Sequence, residues 1–141
     1  MPAQGGDAVR VADGFGSRES DDGKWLYTVK CPDSPEGKTA ISRMPVGGGP
    51  ETLVFSGVTE RLWTLAGQCL YFMDVDGKLH ATLNCLNLAT RKSARIADVQ
   101  KEPFALLGWA GLSVSPDGDW IIYTQLDEQI SRIMLVENVH W

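Results

Sequence analysis

Gly111-Leu112-Ser113-Val114-Ser115 comes closer to a catalytic signature than any other stretch of this chain. A Gly-x-Ser-x-Gly elbow holds its serine on a sharp, strained turn between strand and helix, where the hydroxyl can attack a carbonyl. Here the second glycine is missing and the segment leads into a hairpin, so it reads as an inner strand. Asp74-Val75-Asp76-Gly77 begins like a calcium loop. Calcium takes about six to eight oxygens, however, and Lys78, Leu79 and His80 follow where ligands belong, with Cys85 at the place of the closing glutamate. A hairpin turn is the better reading. His80 and His140 have no cysteine or histidine at zinc spacing, and each reads as a surface histidine.

The three cysteines are odd in number and form no C-x-x-C pair, which speaks against a metal or redox site. Cys69 and Cys85 fall within strand-like runs and read as small buried hydrophobes, Cys31 beside Pro32 as an exposed thiol. Gly47-Gly48-Gly49 precedes no helix, so it reads as a turn between strands rather than a phosphate cradle. The expectation is no catalytic residue, no metal and no cofactor.

The elements that position these residues are β-strands. Leu112 to Thr124 consists of two apolar runs hinged on Ser115-Pro116-Asp117-Gly118, and Asp-Gly between apolar runs is a hairpin signal. The device recurs at Glu19 to Thr28, where Ser20, Asp22, Gly23 and Trp25 occupy the places of Ser115, Asp117, Gly118 and Trp120. A weaker copy, Leu65 to Phe72, keeps Gly67 and the apolar run but loses the serine and aspartate. Gly23, Gly67 and Gly118 recur at roughly 40 to 50 residues, a period that belongs to four-stranded propeller blades.

Read this way, the first unit spans 14–57, with strands at Phe15 to Ser20, Lys24 to Lys30, Thr39 to Val46 and Glu51 to Phe55. The second, 58–100, has Arg61 to Leu65, Gln68 to Met73, Leu79 to Leu88 and Ser93 to Ala97. The third, 101–141, has Gly111 to Ser115, Trp120 to Gln125 and Arg132 to Glu137, and residues 5–12 make a stray outer strand. Cys69 to Phe72, Trp120 to Tyr123 and Ile133 to Val136 are continuous apolar runs, as expected of sheets covered on both faces. The predicted fold is all-β: a partial β-propeller of about three four-stranded antiparallel blades in one domain, the N-terminal strand completing the last blade. Trp25 and Trp120, equivalent by repeat, are expected to pack alike between blades.

Composition narrows the function. With 43% apolar residues in 141 and no apolar run of membrane length, the chain reads as one soluble domain without membrane insertion. A net charge of −5 with scattered lysines and arginines argues against a nucleic-acid surface. The opening Met-Pro-Ala-Gln-Gly-Gly-Asp is no export signal, and the thiols lean towards a reducing interior.

Ser115-Pro116-Asp117-Gly118-Asp119-Trp120-Ile121-Ile122-Tyr123, with Ile133 to Val136 closing the unit, resembles the TolB-type β-propeller repeat, a WD-like family. The likeness covers the first and third units well, the second loosely, and extends to bacterial proteins that join a winged-helix domain to a TolB-like propeller. No winged-helix segment is present, so DNA binding does not carry over. TolB itself is periplasmic, which leaves the compartment open between cytoplasm and periplasm. The resemblance implies a non-enzymatic interaction or sensor module, a fragment of a larger propeller that offers its loops to a protein or peptide partner. The alternative is an accessory propeller of a prolyl-oligopeptidase-like hydrolase. Three units are too few to close a ring, so open blade edges imply association between copies of the chain. In propellers the inner strands and the loops leading into them surround a channel, and Arg18, Arg61, Trp63, Phe104 and Trp109 are the candidate ligand rim there, with Glu19 and Glu60 nearby.

Overall fold

A computed structural model of the chain describes residues 5, 7, 10–30, 39–58, 62–76, 80–99 and 111–124. Among these residues there are ten strands and no helix. The first sheet is an antiparallel meander of β1 (Phe15–Glu19), β2 (Trp25–Lys30), β3 (Ala40–Pro45) and β4 (Thr52–Ser56). The second repeats it with β5 (Trp63–Ala66), β6 (Cys69–Val75), β7 (Ala81–Asn87) and β8 (Ser93–Val99), and a third pairs β9 (Leu112–Val114) with β10 (Ile121–Tyr123). The four strands expected in each of the first two units, and the first two of the third, are found within a few residues of their expected bounds. The described residues do not close a ring. Residues 10–12 of the stray-strand stretch pair with nothing regular, and residues 8 and 9, like the expected strand Arg132 to Glu137, lie outside the described residues.

Turn chemistry makes the hairpins. Ser20 and Ser115 each accept a backbone hydrogen bond from the glycine three residues on, Gly23 or Gly118, at 2.9 Å. Those glycines sit at φ +69° and +81°, a left-handed conformation that glycine reaches without a Cβ penalty. Gly14 is needed for a different reason: a Cβ there would lie 2.4 Å from the Thr28 hydroxyl and 2.7 Å from the Val29 carbonyl oxygen.

The repeat is visible in the registers. Tyr27 stands opposite Arg43, and Tyr71, four residues after its own turn glycine just as Tyr27 is, stands opposite Cys85. The third strand slips against the fourth between Ile41 and Ser42 in one sheet and between Leu83 and Asn84 in the other, the equivalent place. Bulges are positional features of a fold, so this coincidence argues for a structural repeat beyond the glycine spacing.

Two cores hold the sheets in a stack. Trp25, Tyr27, Val29, Ile41 and Val54 of the first sheet meet Trp63, Leu70, Phe72 and Leu86 of the second, and Phe55 tilts against Phe72 with ring centroids 4.6 Å apart. The other side of the second sheet, Tyr71, Met73, Ala81 and Leu83, meets Leu112 and Ile121. Both faces of β6 are thus covered, and its uninterrupted apolar run follows from that.

Two expectations are corrected. Cys69 and Cys85 are not free thiols: they form a disulfide across β6 and β7, with Cα atoms 5.7 Å apart. They sit diagonally, Cys69 opposite Asn87 and Cys85 opposite Tyr71, a separation well within disulfide reach. Trp120 is not packed like Trp25. It is 74% exposed and Ile122 72%, while Trp25 is half-buried against the first core. The cause is position: Trp120 and Ile122 alternate with Ile121, which faces the second sheet, and so they point away from the stack.

Candidate functional site

Alternation along β2 sends Trp25, Tyr27 and Val29 towards the second sheet, and the register of β3 sets Pro45, Arg43 and Ile41 beside them. Five of these six are apolar or aromatic. Arg43 is the exception. Val29 and Ile41 are fully buried at its deep end; near the β1–β2 turn the two sheets splay into a cleft of about 450 Å³. Arg43 and Trp25 form one wall, and Leu88 and Ala89 from the β7–β8 turn form the other, with Gln68 and Asp21 at the mouth.

The guanidinium carbon of Arg43 lies 4.4 Å from the centroid of the Trp25 ring. Such stacking holds the planar group in place while leaving its N–H donors along the edge. Among the described residues no carboxylate comes within ion-pair distance of Arg43, although two stand near it. Both have other partners. Asp21 accepts a hydrogen bond from the Gly67 amide at 2.8 Å, tying the first turn to the β5–β6 turn of the next sheet. Asp22 accepts from the Ser20 hydroxyl at 2.7 Å and the Lys24 amide at 3.1 Å, with the Lys24 ammonium 3.4 Å away. These contacts, the Ser20 hydroxyl first, hold the Asp22 carboxyl below the usual carboxylate range. The cleft therefore offers a fixed cationic fork, a strip of apolar wall and a mildly acidic mouth.

The second surface is the outer face of the third sheet, where Trp120 and Ile122 are turned to solvent. Its hairpin repeats the first turn bond for bond: Ser115 Oγ donates to Asp117, and the Asp119 amide donates to Asp117 at 3.1 Å. The Trp120 amide donates to Ser115 Oγ at 3.0 Å, as the Trp25 amide does to Ser20 Oγ.

Of the residues expected at a ligand rim, Arg18 lies exposed on β1 and donates to the Ser17 carbonyl at 3.4 Å, and Trp63 is 3% exposed within the first core. Arg61, Phe104 and Trp109 lie outside the described residues. Ser113 sits mid-strand in β9 opposite Ile122, without the turn that an elbow serine needs. Asp76 and His80 bracket the β6–β7 connection, with His80 Nδ1 3.3 Å from the carboxylate of Asp76. Among the described residues no group of three or more His, Cys, Asp or Glu could hold a metal ion. Sequence reasoning passed over Arg43, whose signal was a lone cation inside the apolar stretch Ala40-Ile41-Ser42-Arg43-Met44.

Comparison of the chain with family models, curated proteins and solved structures gives no match.

Proposed function

We propose that this chain is a non-enzymatic protein-interaction module of the TolB-like propeller kind, and that it associates through the third sheet. The observation that carries the reading is the exposed Trp120 and Ile122 pair. In the first two sheets the equivalent row, led by Trp25 and by Cys69, faces a neighbouring sheet. In the third it faces solvent, and exposed apolar surface of this kind marks interaction sites.

The partner is a second copy of the chain, third sheet against third sheet about a two-fold axis. Head-to-tail growth would need a matching open face at the other side of the first sheet, where Thr28, Ser42 and Met44 are buried and Leu53, opposite Ser42, is 58% exposed: one aliphatic side chain against the Trp120 and Ile122 pair. A two-fold contact uses one patch twice and stops at the dimer. The Cys69–Cys85 bond supports an oxidising compartment over a reducing one.

Light scattering across a concentration series tests this. The expected result is a dimer that Trp120→Lys or Ile122→Lys converts to a monomer with unchanged circular dichroism. A clean monomer at high concentration, or a dimer indifferent to both substitutions, overturns it.

A further inference from the structure

We propose that the cleft between the first and second sheets binds a peptide through a carboxylate, with Arg43 as the anion receptor and Trp25 as the platform that holds it. Arg43 lacks an acidic partner among the described residues. A half-buried arginine on an otherwise apolar face costs desolvation, and a fold that tolerates one for stability alone ordinarily pairs it with an acid. Here two acids stand at the same cleft and both are engaged elsewhere, Asp21 by Gly67 and Asp22 by Ser20 and Lys24. The guanidinium is fixed by its indole contact, so little freedom is lost when an anion arrives.

Geometry and charge select the anion. The planar fork of arginine matches a carboxylate with two parallel N–H···O bonds. A phosphate dianion fits worse, because Asp21 and Asp22, which also line the cleft, repel a doubly charged group more than a singly charged one. A cavity of about 450 Å³ lies within the ~300–1,000 Å³ typical of small-ligand sites, and Leu88, Ala89 and Trp25 give it apolar walls for the side chain next to the carboxylate. The carboxylate can belong to a peptide C-terminus or to an acidic side chain. The chemistry at Arg43 is the same in both.

This proposal rests on the reading of the chain as an interaction module but uses a different surface. A titration without binding, in a chain that still dimerises through Trp120, removes the cleft and leaves the dimer. Binding in a chain that stays monomeric does the reverse.

The experiment is a nuclear magnetic resonance titration of the intact, oxidised chain, following the Arg43 Nε–H and Trp25 indole N–H signals. Three probes are used: acetyl-Ala-Ala-Leu with a free C-terminus, its C-terminal amide, and acetyl-Ala-Glu-Leu amide. The expected result is a saturable shift of both signals with the free acid, at least tenfold weaker with the uncharged amide. Saturation by the glutamate peptide with equal strength identifies a side-chain carboxylate as an accepted source; failure to saturate confines the site to C-termini, and both support carboxylate recognition. Arg43→Gln abolishes the response, and Arg43→Lys, which keeps the charge without the fork, weakens it several-fold. The wild-type Arg43 signal is itself the readout, so a variant that fails to fold does not rescue the proposal. Equal responses to the free acid and the uncharged amide, no saturable shift up to about 10 mM peptide, or a response that survives Arg43→Gln overturns it.

Discussion

One diagonal of the repeat is fastened in two different ways. Between β2 and β3 it joins Trp25 to Arg43 through a cation above an aromatic face; between β6 and β7 the same positions, counted from the turn glycine and the opposing tyrosine, hold Cys69 and Cys85 in a covalent bond. Both lie on the side that faces the next sheet. The repeat specifies where a diagonal clamp belongs and leaves its chemistry free. The consequence differs on the two sides. A disulfide is short and spends its polar capacity internally, whereas a stacked guanidinium keeps donors along its edge. At the second interface Tyr71 also leans in, its hydroxyl 3.5 Å from where a Cβ of Gly118 would stand. The first interface keeps a polar cleft instead.

The largest difference between the clamps is energetic. Replacing both Cys69 and Cys85 by alanine frees a loop with a sequence separation of 16 and is expected to cost about 3 kcal/mol by chain entropy, read as a fall in the denaturant midpoint. Reduction of the wild type should reproduce it. Arg43→Ala breaks the other clamp and should cost about 1 kcal/mol or less. Equal losses would erase the contrast.

The tryptophans extend the comparison to the third sheet. Trp25→Ala, at a half-buried site, is expected to cost about 2 kcal/mol, below the ~3–5 of a fully buried aromatic. Trp120→Ala in dilute, monomeric protein should stay within about 0.5 kcal/mol. A large loss at Trp120 under those conditions would mean that its face is covered in the monomer.

The strand order was legible because its signals are local. Ser20-Asp21-Asp22-Gly23 and Ser115-Pro116-Asp117-Gly118 carry their own hydrogen-bonding instructions, and the apolar run of β6 announced two covered faces. The clamps were not legible, because each joins residues that only a cross-strand register brings together. Knowing that Cys85 stands opposite Tyr71 requires placing β6 and β7 against each other to the residue, across a connection whose length alone does not fix the register. The exposure of Trp120 was hidden for a related reason. Its repeat position sets which way it points, and what it meets depends on whether a further sheet lies beyond the third, which none does among the described residues.

The second turn lacks the serine and aspartate of the others. Its Gly67 amide is served instead by Asp21 of the first turn, at 2.8 Å. Asp21→Asn keeps an acceptor but removes the charge, and Asp21→Ala removes both. At this exposed position the alanine variant should cost about 1 kcal/mol and the asparagine variant less. Hydrogen exchange at the Gly67 amide separates them, faster in Asp21→Ala than in Asp21→Asn. No change in either would mean that the two turns are not joined.

The smallest effects distinguish the two matching turns. The Ser20 hydroxyl and the Lys24 amide hold Asp22 below the ordinary 3.8, and the Ser115 hydroxyl and the Asp119 amide do the same for Asp117. A carboxylate depressed in the folded state contributes stability that is present above its unfolded value and is lost as pH falls through the folded one. Both turns therefore contribute fully near neutrality and weaken only in acid below about pH 4. Ser20→Ala should raise Asp22 and Ser115→Ala should raise Asp117, each towards 3.8, as followed by carboxyl carbon shifts. Salt then separates the pair. Asp22 has the Lys24 ammonium at 3.4 Å as a lesser cause of its shift, while the residue in that place beside Asp117 is another acid, Asp119. In about 1 M salt, where the Debye length falls to about 3 Å, Asp22 should rise slightly and Asp117 should show no such loss of attraction. If both rise together, the Lys24 charge contributes nothing, and the two turns are electrostatically as well as geometrically the same.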